Sequence, residues 1–296
     1  MIQYQVCPVC NSDRFDVHLK VKDYTVSQSS FEIIACKSCS VLFTQSVPNE
    51  GEIGKYYQSE TYISHTDTQK GFINSLYHKV RKRTLSQKKK LIESRSKTQA
   101  GNILDIGCGT GAFLNVMKHS GWQVTGLEPD ESAAKIAVDK YKIQPLPSQD
   151  LFLLPAAKYD AITMWHVLEH VHQLGNYIQQ IEKCLKQNGV FFIAVPNYTS
   201  YDAGYYKEYW AAYDVPRHLY HFSPKSMEVL LSKYGLVLDA VKPMWFDSVY
   251  VSMLSEKYKN GKGNNFKAFF IGLISNLKTV FNNKKCSSLI YIIRKK

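Results

Sequence analysis

The chain has 296 residues, 45% of them hydrophobic and 21% charged, a globular composition that excludes fibrous and disordered classes. No stretch approaches the roughly 18 to 20 apolar residues of a membrane span, and Met1-Ile2-Gln3-Tyr4 lacks the basic-then-apolar opening of a signal peptide, so a cytoplasmic location is expected. The formal charge of +12 is uneven: residues 79–97 hold nine basic residues and one acidic, residues 257–296 hold ten basic and none acidic, and the rest nets −6. This excess reads first as a solvated helix face and a solvated tail, with contact to phosphate-bearing substrate, nucleic acid or an anionic membrane surface as the alternative.

In chain order, residues 1–45 read as a small module. Of the 7 cysteines, Cys7-Pro8-Val9-Cys10 and Cys36-Lys37-Ser38-Cys39 form two C-x-x-C knuckles about 25 residues apart, separated by strand-like segments at 15–21 and 31–34. Each knuckle can aim two thiolates at one point, and four sulfurs at about 2.3 Å make a closed tetrahedral zinc site. A module this short buries too little apolar surface to fold alone, so structural zinc would supply folding energy on the order of 10 kcal/mol. Four cysteine ligands leave no open position for zinc chemistry.

Residues 46–97 follow as a connector, Tyr56-Tyr57-Gln58-Ser59-Glu60-Thr61-Tyr62, and a basic helix over about 70–96. Phe72, Leu76, Val80, Leu85 and Ile92 keep rough helical spacing there. The tyrosines read as packing residues. From Gly101 apolar strands alternate with amphipathic helices, which predicts an α/β fold with a doubly wound parallel sheet. Seven strands are expected, at 102–106, 123–128, 159–165, 189–195, 236–241 and 287–293, with a weak one near 143–145. The core domain is taken as 98–250, and residues 251–296 as a basic amphipathic helix and a final strand. Over 265–281, Phe266, Phe269, Phe270, Leu273, Ile274, Leu277, Val280 and Phe281 recur at i, i+3, i+4 spacing. That helix is expected to pack on the sheet, with a membrane-surface or dimer face as the alternative.

The sharpest motif is Leu104-Asp105-Ile106-Gly107-Cys108-Gly109-Thr110-Gly111, a strand ending in a carboxylate and a glycine-rich turn that opens a helix. An acidic residue, Glu128, ends the second strand. Together these suit the ribose of either a nicotinamide cofactor or S-adenosylmethionine. Adding Gly126-Leu127-Glu128-Pro129-Asp130, Tyr159-Asp160-Ala161-Ile162 running into His166-Val167-Leu168-Glu169-His170-Val171, and 185–189 before a strand, the chain resembles the class I S-adenosylmethionine-dependent methyltransferases, of Rossmann-like fold, over residues 98–245. The knuckles resemble the N-terminal zinc module of bacterial methyltransferases acting on sugars. The resemblance implies that Asp105, Gly107 and Gly109 line the methionine part of the cofactor, that Glu128 holds both ribose hydroxyls, that Asp150 accepts from the adenine amino group, and that Cys108, Pro129 and Trp165 also belong to the cofactor site.

Methyl transfer requires nucleophile and methyl to be aligned at about 3 Å with water excluded, and a base only when the nucleophile carries a proton. The candidates for that base, His166, Glu169 and His170, lie past the fourth strand and would share one face if a helix began at His166. They resemble the acidic-x-x-Glu-His trio that binds a divalent metal in quinone O-methyltransferases, with His in place of the first acid. Helix capping and packing is the alternative. A second constellation, Trp210-Ala211-Ala212-Tyr213-Asp214-Val215-Pro216-Arg217-His218-Leu219-Tyr220-His221-Phe222-Ser223, reads as a substrate lid. In it Arg217 would hold an anionic group and His218 or His221 would take a proton. The expected activity is methylation of a small or lipid-linked metabolite, a sugar or hydroxylated ring. The alternatives are an RNA-directed methyltransferase and a cofactor-binding protein without catalysis.

Overall fold

The structure, a computed structural model, describes residues 1–58 and 72–296. Residues 59–62 of the tyrosine-rich connector lie outside the described residues. Two compact units share the chain, one built from Met1–Ile63, His166–Gly175 and Ile193–Ile292, the other from Ser64–Trp165, Asn176–Phe192 and Ile293–Lys296.

In the second unit helix α1 (Phe72–Ser96) precedes β4 (Asn102–Ile106), α2 (Ala112–Lys118), β5 (Gln123–Leu127), α3 (Glu131–Tyr141), β6 (Tyr159–Trp165) and α4 (Leu174–Cys184). Strands β1 to β3 lie earlier in the chain. Strand β4 is buried on both faces, with Ile103 and Leu104 fully covered, as a central parallel strand must be. It pairs in parallel with β5 and β6, setting Asp105 opposite both Gly126 and Thr163. Asp130 caps α3 by accepting from the Ala133 N–H. The chain's main sheet has six strands in the order β5-β4-β6-β7-β10-β9, where β7 is Leu185–Pro196, β9 Leu236–Pro243 and β10 Ser288–Lys295.

The expected seventh strand near 143–145 is reduced to one parallel bridge, Leu127 to Leu146. Leu146 donates to the Gly126 carbonyl and accepts from the Glu128 N–H. Pro145 and Pro147 on either side fix φ near about −65°, off the extended value of a regular parallel strand, and pairing stops after one residue.

In the first unit β1 (Phe15–Lys22), β2 (Ser30–Cys36) and β3 (Leu42–Thr44) form an antiparallel sheet whose fourth strand, β8 (Tyr220–His221), arrives from far downstream. Leu42 pairs with His221 and Phe43 with Tyr220. Phe31, Ile33, Leu42, Tyr206, Trp210 and Tyr213 form the core beneath it. Three helices follow in this unit, α5 (Tyr201–Tyr206), α6 (Pro224–Ser232) and α7 (Asp247–Asn260), then α8 (Asn265–Phe281). Helix α8 has the expected bounds but packs against α7 and α5 rather than on the main sheet. A Cβ on Gly272 would stand 2.7 Å from the Val249 Cα, so glycine is what lets α7 and α8 approach.

Candidate functional site

After β4 the backbone turns through Gly107, Gly109 and Gly111 at φ 71°, 54° and 74°, the left-handed region that costs glycine nothing. A Cβ on Gly109 would meet nothing within 4 Å, so space is open above the turn. The Glu128 carboxylate closes it from beside: Oε2 accepts the Gly109 N–H at 2.6 Å and Oε1 the Asp130 N–H at 2.9 Å. Burial pushes Glu128 up, opposed by these two N–H groups. Asp105 is buried, accepts the Thr163 hydroxyl at 2.6 Å, and is pushed up to about 7 by burial against the pull of Thr163 and of Lys88. Cys108 is buried, and its thiol is pushed up by that burial. Pro129 is exposed beside Glu128. Asp150 lies four residues past the Leu146 bridge, in the 3₁₀ turn Ser148–Leu153. Trp165 ends β6, with the Phe113 ring edge-on at 5.8 Å and the Lys88 ammonium 4.1 Å over its face. Its indole N–H is buried without a hydrogen-bond partner. Thr163 and Lys88 escaped the sequence reading. A hydroxyl inside an otherwise apolar buried strand was the available signal for Thr163; nothing local marked Lys88.

His166 opens the first unit's cluster at φ 57°. No α-helix begins there, contrary to the reading that put three side chains on one face. A 3₁₀ turn spans Leu168–His170 and α4 starts only at Leu174, so His166 and His170 part company. His166 Nδ1 stands 3.4 Å from Glu169 Oε1 and Nε2 3.2 Å from Asp247 Oδ2. Burial alone would push this imidazole down, but the Asp247 and Glu169 carboxylates hold it up at about 10. It carries a proton at neutral pH and is no base there, which corrects the proton-accepting role read from the sequence. Glu169 is 1% exposed and neither carboxylate oxygen accepts an aligned hydrogen bond. Against the cost of burial, the contact with His166 and the neighbouring His218 and His170 rings draw its carboxyl below the usual range.

His170 and His218 meet edge to face at 4.6 Å. His170 Nδ1 lies 3.0 Å from the Tyr57 hydroxyl and 3.1 Å from the Arg217 carbonyl, and His218 Nδ1 lies 2.9 Å from the Ala212 carbonyl. Carbonyls can only accept, so both rings carry a proton on Nδ1, and His218 Nε2 stands 3.9 Å from Asp214 Oδ2. Burial and the neighbouring His218 push His170 down to about 4. Ligating atoms of Glu169, His170 and His218 all lie within 4.8 Å of one another.

The segment read as a lid is interior. Trp210, Tyr213, Val215 and Leu219 are buried, and Tyr220–His221 is a sheet strand. Its aromatic content fills a core instead of covering a ligand. Arg217 is 2% exposed and its guanidinium is committed within the protein: it grips Asp214 with two nitrogens and donates to the Tyr56 carbonyl at 2.8 Å, with Asp23 at 3.8 Å. Buried and with three of its five N–H donors on these internal partners, the guanidinium does not stand open to a ligand anion, contrary to expectation. His221, pushed well down by burial, lies against Thr44 Oγ1 at 3.1 Å and the Tyr213 ring at 5.2 Å. Thr44 also donates to the His218 carbonyl at 2.7 Å. Asp247, Tyr57 and Thr44 were invisible to sequence reading because each lies more than 70 residues from its partner.

The four knuckle cysteines converge as their spacing suggests, with ligating atoms all within 4.8 Å and Sγ pairs Cys7 to Cys39 at 3.6 Å and Cys10 to Cys36 at 3.5 Å. Tetrahedral sulfurs about 2.3 Å from a zinc ion stand roughly 3.8 Å apart, so the group fits. Tyr198 donates to the Ser40 carbonyl and Lys233 to the Val9 carbonyl, fastening both knuckles to later parts of the unit.

The profile of the family described as Methyltransferase domain matches residues 77–241. The ubiquinone biosynthesis O-methyltransferase of Pelagibacter ubique (strain HTCC1062) is 32% identical over 102 residues, 33% of this chain and 42% of that protein. The chain thus spans about two fifths of that relative's length. Magnesium protoporphyrin IX methyltransferase from Synechocystis PCC 6803, solved with bound SAH, superposes with a TM-score of 0.54 at 14% identity, covering 82% of this chain and 99% of that one. A SAM-dependent methyltransferase from Archaeoglobus fulgidus superposes at 0.50 with 21% identity, covering 76% and 100%.

Proposed function

The chain belongs to the methyltransferase-domain family, and from that premise we propose that it moves a methyl group from S-adenosylmethionine to a hydroxyl oxygen of a small or lipid-linked acceptor, a hydroxylated ring being favoured. The observation that carries the cofactor half is the Gly109 turn, held open beside a Glu128 carboxylate that two backbone N–H groups fix in place. In this reading Glu128 and Pro129 receive the ribose, with the outward lone pairs of the pinned carboxylate accepting its hydroxyls. Gly107, Cys108 and Gly109 approach the methionine part through their backbone, and Asp150 accepts from adenine. Asp105 faces the cationic end with a carboxyl whose pKa of about 7 lets cation binding expel its proton. Trp165 walls the methyl. A ring hydroxyl as acceptor is supported by relatives named as ubiquinone biosynthesis O-methyltransferases.

For the acceptor, His166 acts as a fixed imidazolium whose positive charge would stabilise negative charge developing on an oxygen nearby. His170, pushed down by burial and with its Nδ1 proton on the Arg217 carbonyl, keeps its Nε2 lone pair and is the neutral proton acceptor of the cluster, with His218 packed edge to face against it. Arg217 and His221 position them by holding the segment around His218. A second reading rests on the buried Glu169 carboxylate and the His170 and His218 rings, whose ligating atoms lie within 4.8 Å of one another. Glu169, His170 and His218 would hold a divalent cation there, which would acidify the acceptor hydroxyl. Cys7, Cys10, Cys36 and Cys39 would hold a structural zinc.

The test is transfer of labelled methyl from S-adenosylmethionine into fractionated cell extract. Label in the lipid or small-molecule pool, in a bond stable as an ether, is expected. Label in RNA, or tight cofactor binding with no transfer to any fraction, would overturn the reading. Loss of label with Glu169→Gln and its dependence on added Mg²⁺ or Mn²⁺ would favour the second reading.

A further inference from the structure

Helix α8 presents two opposite surfaces. Ala268, Ile271, Gly272, Ser275 and Thr279 are buried on one side. On the other, Phe266, Phe269, Leu273, Leu277, Val280 and Phe281 are exposed at 75%, 51%, 39%, 53%, 67% and 90%. At about 100° per residue these six positions fall within roughly a third of the circumference, one stripe along the whole helix. On α7, which packs against α8, Tyr250 and Met253 are exposed as well, and so is the preceding Trp245, whose carbonyl accepts from Asn276 on α8. Contiguous aromatic and aliphatic exposure on this scale marks an interaction surface.

Charge decides what covers it. Residues 257–296 contain ten basic residues and no acidic one. Exposed lysines bracket the stripe, Lys257, Lys259 and Lys262 before α8 and Lys284 and Lys285 after it. Two copies of this face would bring those clusters together, so self-association is opposed by like charge. Nucleic acid would satisfy the lysines and leave the phenylalanines in water. An anionic bilayer surface satisfies both, taking the stripe into the acyl boundary and the ammonium groups to the headgroups. No described helix is long and apolar enough to cross a membrane, so the contact is lateral.

We propose that the α7–α8 hairpin docks the protein on anionic membrane through the Phe266 to Phe281 stripe. Neither the acceptor nor the cofactor assignment enters this inference. It is tested by flotation of the full-length chain with vesicles of phosphatidylglycerol and, separately, of phosphatidylcholine. Recovery with phosphatidylglycerol, weakened by salt and poor with phosphatidylcholine, is expected. The exposed triple substitution F269D/L273D/L277D should lower that partition at least tenfold, with an unchanged melting temperature and unchanged S-adenosylmethionine binding. Lys257→Glu with Lys284→Glu should lower it for phosphatidylglycerol alone. The proposal is overturned if the native chain stays unbound in phosphatidylglycerol, if the triple variant floats like the native chain, or if lipid-free sedimentation reveals an oligomer that the aspartates dissolve.

Discussion

The turn after β4 and the cluster around Glu169 place polar groups by different means. Gly109 and Glu128 are 19 residues apart and their bond joins neighbouring strand ends; His170 and Tyr57 are 113 apart, and His166 is completed by Asp247. The turn uses backbone N–H groups that glycine exposes, so its chemistry travels with a contiguous motif. The cluster joins side chains and two backbone carbonyls from segments far apart in the chain, so burial and neighbours set its protonation. Damage to the first should therefore appear as lost ligand affinity, and damage to the second as lost stability.

The largest break in that comparison is metal removal. One zinc per chain is expected by elemental analysis, and Cys7→Ser with Cys39→Ser should abolish it and remove folding energy on the order of 10 kcal/mol from the knuckles. Because β3 pairs with β8 and Thr44 holds the His218 carbonyl, the loss should reach the histidine cluster. Chemical shifts of the imidazoles would move while cofactor affinity is retained. A metal-free native protein with an undisturbed melting curve would refute this.

Next in size is Arg217→Ala. It leaves the buried Asp23 and the half-buried Asp214 without their cation, which should cost about 3 kcal/mol in urea unfolding. Unchanged stability would return Arg217 to the role of a ligand-binding residue. On the other side of the comparison, Glu128→Ala should weaken S-adenosylmethionine binding at least tenfold by calorimetry. Losing its charge-assisted bonds is worth about 1.5 to 3 kcal/mol. A stability loss without an affinity loss would make Glu128 a purely structural brace for Gly109.

Two smaller effects sharpen the contrast through pH. The His166 pKa is raised from the ordinary 6.5 to about 10, so its stabilising contribution is complete below about pH 6.5 and disappears as pH rises through 10. The stability difference between the native chain and His166→Gln should shrink across that window; a difference that is flat with pH would mean a neutral ring. Asp105, raised to about 7, must ionise to meet a cation. S-adenosylmethionine affinity should therefore climb modestly as pH rises through 7, and Asp105→Asn should flatten the climb.

Local and periodic information was enough for much of the molecule. The glycine turn, the six strands of the main sheet and the bounds of α8 follow from spacing, since each depends on residues adjacent in the chain or on a repeating face. The four cysteines announced their convergence because a knuckle turn aims thiols whatever surrounds it. The tertiary structure decided the rest. Two prolines flanking Leu146 left a bridge where a seventh strand was read, and the strand partner of Leu42 and Phe43 came from residue 220 onward. Arg217 looked free to bind an anion until Asp214 and the Tyr56 carbonyl took its donors. His166 looked like a base until two carboxylates fixed its proton. Identity and order reveal where a polar residue stands along the backbone, but its solvation, charge and partners are set by contacts between distant segments, and those exist only once the chain has folded.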